Sequence, residues 1–295
     1  MDKLLVKQCL FYGSWLAFPF IAWLLWRMRR PGRRLLLAVP LAASLLFVWA
    51  RFVEPQTIVV RETTLPGTGA NLDLALVSDI HLGVYKGRGF LERLVARLDA
   101  LPVQAVVIAG DLTYEPGDDS LQALFAPLAQ LQHPAYAVLG NHDQQQPGPD
   151  IDVALRAALR THGVQVIEGR FAEGPGWRLA GLGDRWALKD DPAFLKAVPS
   201  PLPTIVVAHN PDSAMGLSPD DAAILLAGHT HGGQIRIPWL YRHVIPTEHD
   251  FDRGEQFALT PAGRVRVFTT SGVGEIGLPM RLFNPPVIDI LHLRP

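Results

Sequence analysis

Apolar residues are spread along this chain in two unlike ways. From Leu10 to Trp26 no residue is charged and Phe, Trp, Leu and Ile dominate. Arg27, Arg29, Arg30, Arg33 and Arg34 follow, and Leu35 to Ala50 is again uncharged. Each run falls slightly short of the roughly 20 residues a spanning helix needs at about 1.5 Å per residue, and the flanking Val6, Phe52 and Val53 extend them. Trp15, Trp23, Trp26 and Trp49 stand partly where interfacial anchors belong. Being apolar on every side, the runs lack the solvated face of ordinary surface helices, and a pair of buried core helices fits them poorly. The pattern predicts a membrane leader over residues 1–53, folded as a helical hairpin. Two competing readings are a cleaved signal peptide, which leaves the first 26 residues without a role, and one span followed by an interfacial helix.

Glu54-Pro55 and Leu65-Pro66-Gly67-Thr68-Gly69 punctuate a linker over residues 54–70, which also holds the strand leading into the next domain. Over 71–295 the rhythm becomes that of an α/β domain. Strand-length apolar runs recur at Leu72 to Val77, Ala105 to Ala109, Ala135 to Leu139, Ile205 to Ala208 and Ala223 to Ala227. Amphipathic stretches of helix length lie at Phe90 to Leu101, Leu121 to Leu131 and Ile151 to His162. Gln234 to Ile237, Val265 to Thr269 and Val287 to Leu293 are further strand candidates without helices between them, so the sheet is expected to be mixed.

Charge divides at the same boundary. The 295 residues carry 27 Lys plus Arg and 28 Asp plus Glu, a net −1, yet residues 1–62 hold nine basic and three acidic side chains and the remainder is net −7. With 48% apolar residues the chain is neither disordered nor collagen-like. Its single cysteine, Cys9, excludes an intramolecular disulfide framework and a cysteine-rich zinc cage. Any metal site must use His, Asp, Glu or Asn. An acidic domain with no basic stripe makes nucleic acid an unexpected partner.

Five of the predicted strands end in residues that ligate metals: Asp79-Ile80-His81, Gly110-Asp111, Gly140-Asn141-His142-Asp143, His209-Asn210 and Gly228-His229-Thr230-His231. In open α/β sheets the crevice lies beyond the carboxyl ends of the strands, so these tips converge on one pocket. In Asp79-Ile80-His81 and His229-Thr230-His231 the ligands are one residue apart and point the same way if the backbone is extended. The preceding glycines relieve crowding at tight turns. Carboxylate, amide and imidazole together suit Mn, Fe or Zn, and seven ligands exceed what one small ion accepts. Two ions sharing a carboxylate account for the number.

Asp-x-His, Gly-Asp-Leu, Gly-Asn-His-Asp, Ala-His-Asn and Gly-His-Thr-His, in that order across about half the chain, resemble the calcineurin-like metallophosphoesterase superfamily. The resemblance implies two mixed β-sheets packed face to face with flanking helices, an α/β/β/α sandwich. It assigns Asp79, His81 and His231 to one divalent ion, Asn141, His209 and His229 to the other, and Asp111 to the bridge. It casts His142 as the non-ligand histidine that meets the phosphate and assists the leaving group, with Asp143 orienting its ring. Gly232-Gly233-Gln234-Ile235-Arg236-Ile237-Pro238, Ser271-Gly272-Val273-Gly274, Pro279 to Pro286 and the apolar leader resemble the membrane-associated YkuE- and YaeI-like subgroup, which includes UDP-2,3-diacylglucosamine hydrolases.

The expected activity is hydrolysis of a phosphodiester, pyrophosphate or phosphomonoester by a metal-bridged hydroxide, on a lipid-linked substrate such as UDP-2,3-diacylglucosamine in lipid A synthesis. An exported phosphodiesterase acting on phospholipid or wall polymer is the second reading, and a membrane scaffold with a structural metal site the third. The expected location is the bacterial cytoplasmic membrane. The arginine knot would place the domain outside under the positive-inside rule, whereas Lys3, Lys7 and a cytosolic nucleotide substrate favour the inside. Ser78 reads as a turn residue, Arg236, Arg242 and Arg281 as solvated cations, and His133, His162 and His292 as ordinary histidines. His243 and His249 follow the last ligand block closely enough to reach the mouth of the site.

Overall fold

The computed structural model describes residues 3–30, 32–117, 120–144 and 150–295, so Met1, Asp2 and Pro31 of the leader lie outside the described residues. Two helices open the chain, α1 (Lys3–Arg27) and α2 (Arg34–Gln56). Both are long and apolar enough to cross a membrane by length and composition, and only 11% of each apolar window is buried within the protein. That exposure separates them from core helices, since Leu16, Leu35, Leu36 and Val39 would stand in water.

Fourteen strands follow among the described residues: β1 (Val59–Leu65), β2 (Leu72–Val77), β3 (Leu82–Gly83), β4 (Ala105–Ala109), β5 (Thr113–Tyr114), β6 (Ala135–Val138), β7 (Val164–Val166), β8 (Phe171–Gly174), β9 (Trp177–Gly181), β10 (Thr204–Val207), β11 (Ile224–Ala227), β12 (Gly254–Thr260), β13 (Gly263–Thr269) and β14 (Val287–Leu293). One sheet runs β1-β14-β2-β4-β6-β7 and is parallel except where β14 meets β2. The other runs β12-β13-β11-β10-β9-β8, parallel in the middle with an antiparallel strand at each edge. Both are mixed, as the segment order implied.

Alternation decides which side chains meet. On β2 and β4, Leu72, Leu74, Leu76, Ala105, Val107 and Ala109 turn inward against Leu179, Ile205, Val207, Ile224, Leu226 and Phe268 of the second sheet. The intervening Ala75, Val77, Val106 and Ile108 face α3 (Arg88–Asp99), which contributes Phe90, Leu91, Leu94 and Leu98. Ala180, Val206, Leu225, Val265 and Val267 form the outer apolar layer of the second sheet with Leu195, Leu217 and Phe251. The two sheets thus pack face to face with helices outside.

Three expectations need correction. Leu121 to Leu131 is an α-helix only over Leu121–Phe125 and continues as 3₁₀ over Ala126–Gln130, because Pro127 has no N–H to give an α-helical bond. Gln234 to Ile237 is not a strand and makes a single bridge, Ile235 to Leu282. Gly232 and Gly233 at φ 55° and 80° lead into Gln234 at φ 39°, so the chain turns where the apolar pattern suggested extension. Arg281 is fully buried rather than solvated. Its guanidinium donates to the carbonyls of Ser271, Gly274 and Asn284, and its backbone N–H donates to Ala50 O at 2.9 Å, tying α2 to the domain.

Candidate metal centre

The predicted ligands gather at the carboxyl ends of β2, β4, β6, β10 and β11. Oxygen and nitrogen donors of Asp79, His81 and His231 lie within 4.8 Å of one another, and so do those of Asp111, His209 and His229. Asp111 Oδ2 stands between the groups, 3.6 Å from His81 Nε2 and 3.2 Å from His209 Nε2. Asn141 is buried and faces the same cavity.

The turns that present these groups are not extended. Asp79, His81, Asp111, His229 and His231 have φ of 52°, 51°, 51°, 69° and 50°, in the left-handed region that costs a non-glycine residue of the order of 1–3 kcal/mol. Paired ligands such as Asp79 and His81 therefore share a side because both adopt left-handed backbone, not because the strand continues. Backbone bonds hold these conformations: Asp79 N to Gly110 O at 2.9 Å, His81 N to Asp111 O at 3.1 Å and Gly228 N to His209 O at 2.9 Å. At Gly140 and Gly228 the need is for room. A Cβ on Gly140 would collide with Asp111 Oδ1, and one on Gly228 with Ser78 Oγ and Asp79 Oδ2.

The donor set tests whether cations fit. A carbonyl can only accept, so His81 Nδ1, 3.2 Å from Thr113 O, and His209 Nδ1, 2.8 Å from Ala109 O, carry protons and turn their Nε2 atoms inward. There His81 Nε2 meets His231 Nε2 at 3.1 Å and His209 Nε2 meets His229 Nδ1 at 3.1 Å. Asp79 Oδ1 and Asn141 Oδ1 are buried without a hydrogen-bond partner among the described residues. So many inward lone pairs are stable only with protons or cations between them. Burial pushes the pKa of His81 and of His229 down to about 3 and drives His231 well below its usual range. At His209 burial pulls the same way, but the Asp111, Asp79 and Asp184 carboxylates prevail and raise it to about 10. The residues fit two divalent ions, as Asp111 lies between both groups.

His142 borders the cavity beside the ligands. Its backbone N–H donates to Asp111 Oδ1 at 2.9 Å, and its ring stands edge-on to those of His81 and Tyr114 with centroids 5.2 and 5.1 Å apart. Burial holds its pKa below the ordinary value. Asp143 does something other than orient that ring. Its carboxylate accepts from the backbone N–H groups of Leu112, Thr113 and Gly140 and from Thr113 Oγ1, at 2.7–3.0 Å, which uses both oxygens to brace the turn carrying Asp111. Burial, with the Asp111 charge beside it, pushes its pKa up to about 7. Ser78 donates to Asp79 Oδ2, which suits a turn residue.

Sequence reasoning missed Asp184 and Trp186. Asp184 follows β9, is fully buried, and burial raises its pKa to about 6 while His209 opposes the rise. Trp186 meets the His229 ring edge-on at 4.6 Å. The available signal was Gly183-Asp184, which repeats the Gly110-Asp111 pattern after a strand. Above the ligands opens a cavity of about 630 Å³, walled by Trp186, Ile235, Leu240, Val244, Ile276 and Leu278. His243 and His249 are not among its lining residues.

The geometry has counterparts elsewhere. A calcineurin-like phosphoesterase profile matches residues 72–233, the stretch holding every predicted ligand. Phosphodiesterase YaeI of Escherichia coli is 28% identical over 87% of this chain and 96% of its own length. The uncharacterized metallophosphoesterase YkuE of Bacillus subtilis is 25% identical over 83% and 89%. UDP-2,3-diacylglucosamine pyrophosphatase LpxG of Chlamydia trachomatis is 26% identical over 67% and 76%. With the profile spanning more than half of it, the chain belongs to the calcineurin-like phosphoesterase family and is a metal-dependent phosphoester hydrolase.

Proposed function

We propose that this protein is a membrane-associated phosphoesterase that cleaves a lipid-linked phosphodiester or pyrophosphate, with UDP-2,3-diacylglucosamine as the sharpest candidate. The observation that carries the reading is the apolar cavity directly above the two ligand groups. Trp186, Ile235, Leu240, Val244, Ile276 and Leu278 offer acyl-like surface within reach of a floor built for a phosphate. The likeness to LpxG supports the same substrate class.

In this reading Asp79, His81 and His231 would hold one ion and Asn141, His209 and His229 the other, with Asp111 serving both; Mn, Fe and Zn all suit the set. The ions supply charge neutralisation at the phosphoryl oxygens and a nucleophile at neutral pH. The protein's own groups do the rest. His142 meets the phosphoryl oxygens and delivers a proton to the leaving oxygen, Asp143 fixes the Asp111 turn, and the apolar wall excludes water.

A second reading, an exported envelope phosphodiesterase, draws on the arginine knot. Lys7 and Arg51 approach Glu115 and Glu275 of the catalytic domain while Arg27 and Arg34 stand at the opposite helix ends, so a cytoplasmic knot would put the domain outside. Purified manganese-loaded protein should release UMP from UDP-2,3-diacylglucosamine. Hydrolysis of a soluble aryl phosphodiester with no UMP release would sink the lipid A assignment and leave the phosphoesterase. Alkaline phosphatase fused to the C-terminus, active only outside, separates the two locations.

A further inference from the structure

Beyond the cavity wall, the segment after Gln234 turns apolar side chains outward. Ile237, Trp239, Leu240 and Val244 are exposed, Trp239 at 85%. Single exposed apolar residues are ordinary, but four within one short loop are a patch. Trp239 also has φ 66°, a conformation bulky residues rarely adopt. Leu240 and Val244 line the cavity as well, so one loop is both the wall of the pocket and an apolar surface outside it.

The loop is fastened to the segment that receives the membrane helices. Gln234 Nε2 donates to the carbonyls of Ile276 and Leu278 at 3.0 Å, and Arg236 N donates to Leu282 O at 2.9 Å. The same segment takes α2 through Arg281 N to Ala50 O and through Asn284 N to Glu54 Oε1 at 2.5 Å. It meets α1 indirectly: Tyr85 donates to Gly277 O at 2.5 Å and stacks on Phe11 with centroids 5.6 Å apart. Exposed Leu278 and Phe283 lie on it, between the loop and the helix ends. Helix length sets the level of the bilayer. From Lys7 to Arg27 the rise is about 30 Å at about 1.5 Å per residue, close to one hydrocarbon thickness. The bilayer surface on the domain side therefore passes near Lys7 and Arg51, where the segment carrying the loop attaches.

We propose that the Ile237–Val244 loop, with Trp239 at its tip, inserts into the bilayer face that α1 and α2 enter and seats the mouth of the cavity on lipid. The inference rests on the membrane reading of the two helices. Trp at the headgroup level and the exposed Arg242 beside it match what an interfacial segment requires. A substrate with acyl chains then passes from bilayer to cavity along Leu240 and Val244 without crossing water.

The test uses full-length protein in phosphatidylcholine–phosphatidylglycerol nanodiscs in a Cys9→Ser background. Trp239→Cys, Val39→Cys on α2 and Val153→Cys on the exposed face of the Asp152–Thr161 helix are each labelled with a polarity-sensitive fluorophore. Retained hydrolysis of a soluble aryl phosphodiester verifies that each variant is folded. The lipid should blue-shift the probes at 239 and 39, a spin label near the top of the acyl chains should quench both, and the probe at 153 should show neither change. Quenching at 39 without quenching at 239 overturns the loop insertion and keeps the hairpin. Silence at both positions removes the membrane reading and the proposal together.

Discussion

The floor and the wall of the cavity are built by different means. Every predicted ligand on the floor follows the carboxyl end of a strand and is buried, and the turns at Asp79, His81, Asp111 and His209 are tied by backbone hydrogen bonds to a neighbouring strand end. The wall comes mainly from irregular segments after Gly233 and before Met280, and Leu240, Val244 and Leu278 are partly in solvent. The floor uses left-handed turns and burial to fix charge in place. The wall is apolar and partly exposed, and in the proposed reading it is the part that selects the substrate. If the division is real, each can be broken without the other.

The largest break is at the shared carboxylate. Asp111→Ala removes the group between both ligand clusters and should lower hydrolysis of soluble and lipid substrates alike by more than about 10³-fold. Plasma mass spectrometry should find most of the bound metal lost. Retained activity on either substrate would mean that Asp111 is not the bridge. His142→Ala is next, with kcat down about 10²–10⁴-fold and metal content unchanged. Because nitrophenolate leaves without a proton, the loss should shrink for nitrophenyl esters. An equal loss for good and poor leaving groups would point to phosphate binding instead.

The floor was legible in the sequence because each ligand sits in a short block, an apolar run, often a glycine, then the ligand. That grammar also explains the misses. Asp184 was overlooked because β9, Trp-Arg-Leu-Ala-Gly, carries Arg178 and does not read as a buried strand, although Arg178 is satisfied by Thr204 Oγ1 and Val198 O. Asp143 was assigned to its sequence neighbour His142, whereas its carboxylate reaches residues some thirty positions earlier. Arg281 looked solvated because no local pattern announces the carbonyls it serves. The wall was illegible for a plainer reason. Gln234 to Ile237 has a strand's composition, and only the left-handed turn over the preceding glycines directs it along the cavity.

Acidity should act on the floor first. His209 keeps its proton up to a pKa of about 10, and a cation needs the same Nε2 lone pair. Between pH 9 and 7 metal uptake must expel that proton, so affinity should fall about tenfold per unit as pH drops. At lower pH Asp79, raised by burial, adds a second proton and steepens the fall. Competition titrations of manganese against a chelator across this range should give a slope near one. A flat profile would mean that His209 is already neutral. The wall calls for a different readout. Leu278→Glu should lower the ratio of kcat/KM for lipid over soluble substrate by about tenfold, the low end of what burying a leucine contributes (roughly 1.5–3 kcal/mol), because Leu278 is only partly covered. An unchanged ratio would detach the wall from substrate choice.

The smallest effect asks whether the floor is self-contained. Lys7 of α1 pairs with Glu115 Oε1 at 2.6 Å and lies 4.2 Å from the centre of the Tyr114 ring, with side chains only partly exposed. Tyr114 in turn packs edge-on against His81 and His142, at 5.4 and 5.1 Å. A leader helix therefore presses, through one ring, on a ligand and on the candidate proton donor. A partly solvated ion pair contributes up to about 1 kcal/mol, so Lys7→Ala in nanodiscs should reduce kcat by no more than about fivefold, with KM and metal content unchanged. Lys7→Arg, which keeps the charge over the ring, should restore most of it. A loss in kcat alone would show that the leader helps to set the geometry of the floor. A change confined to KM would mean that it acts only by holding the cavity against the bilayer, and the floor would stand as an independent unit.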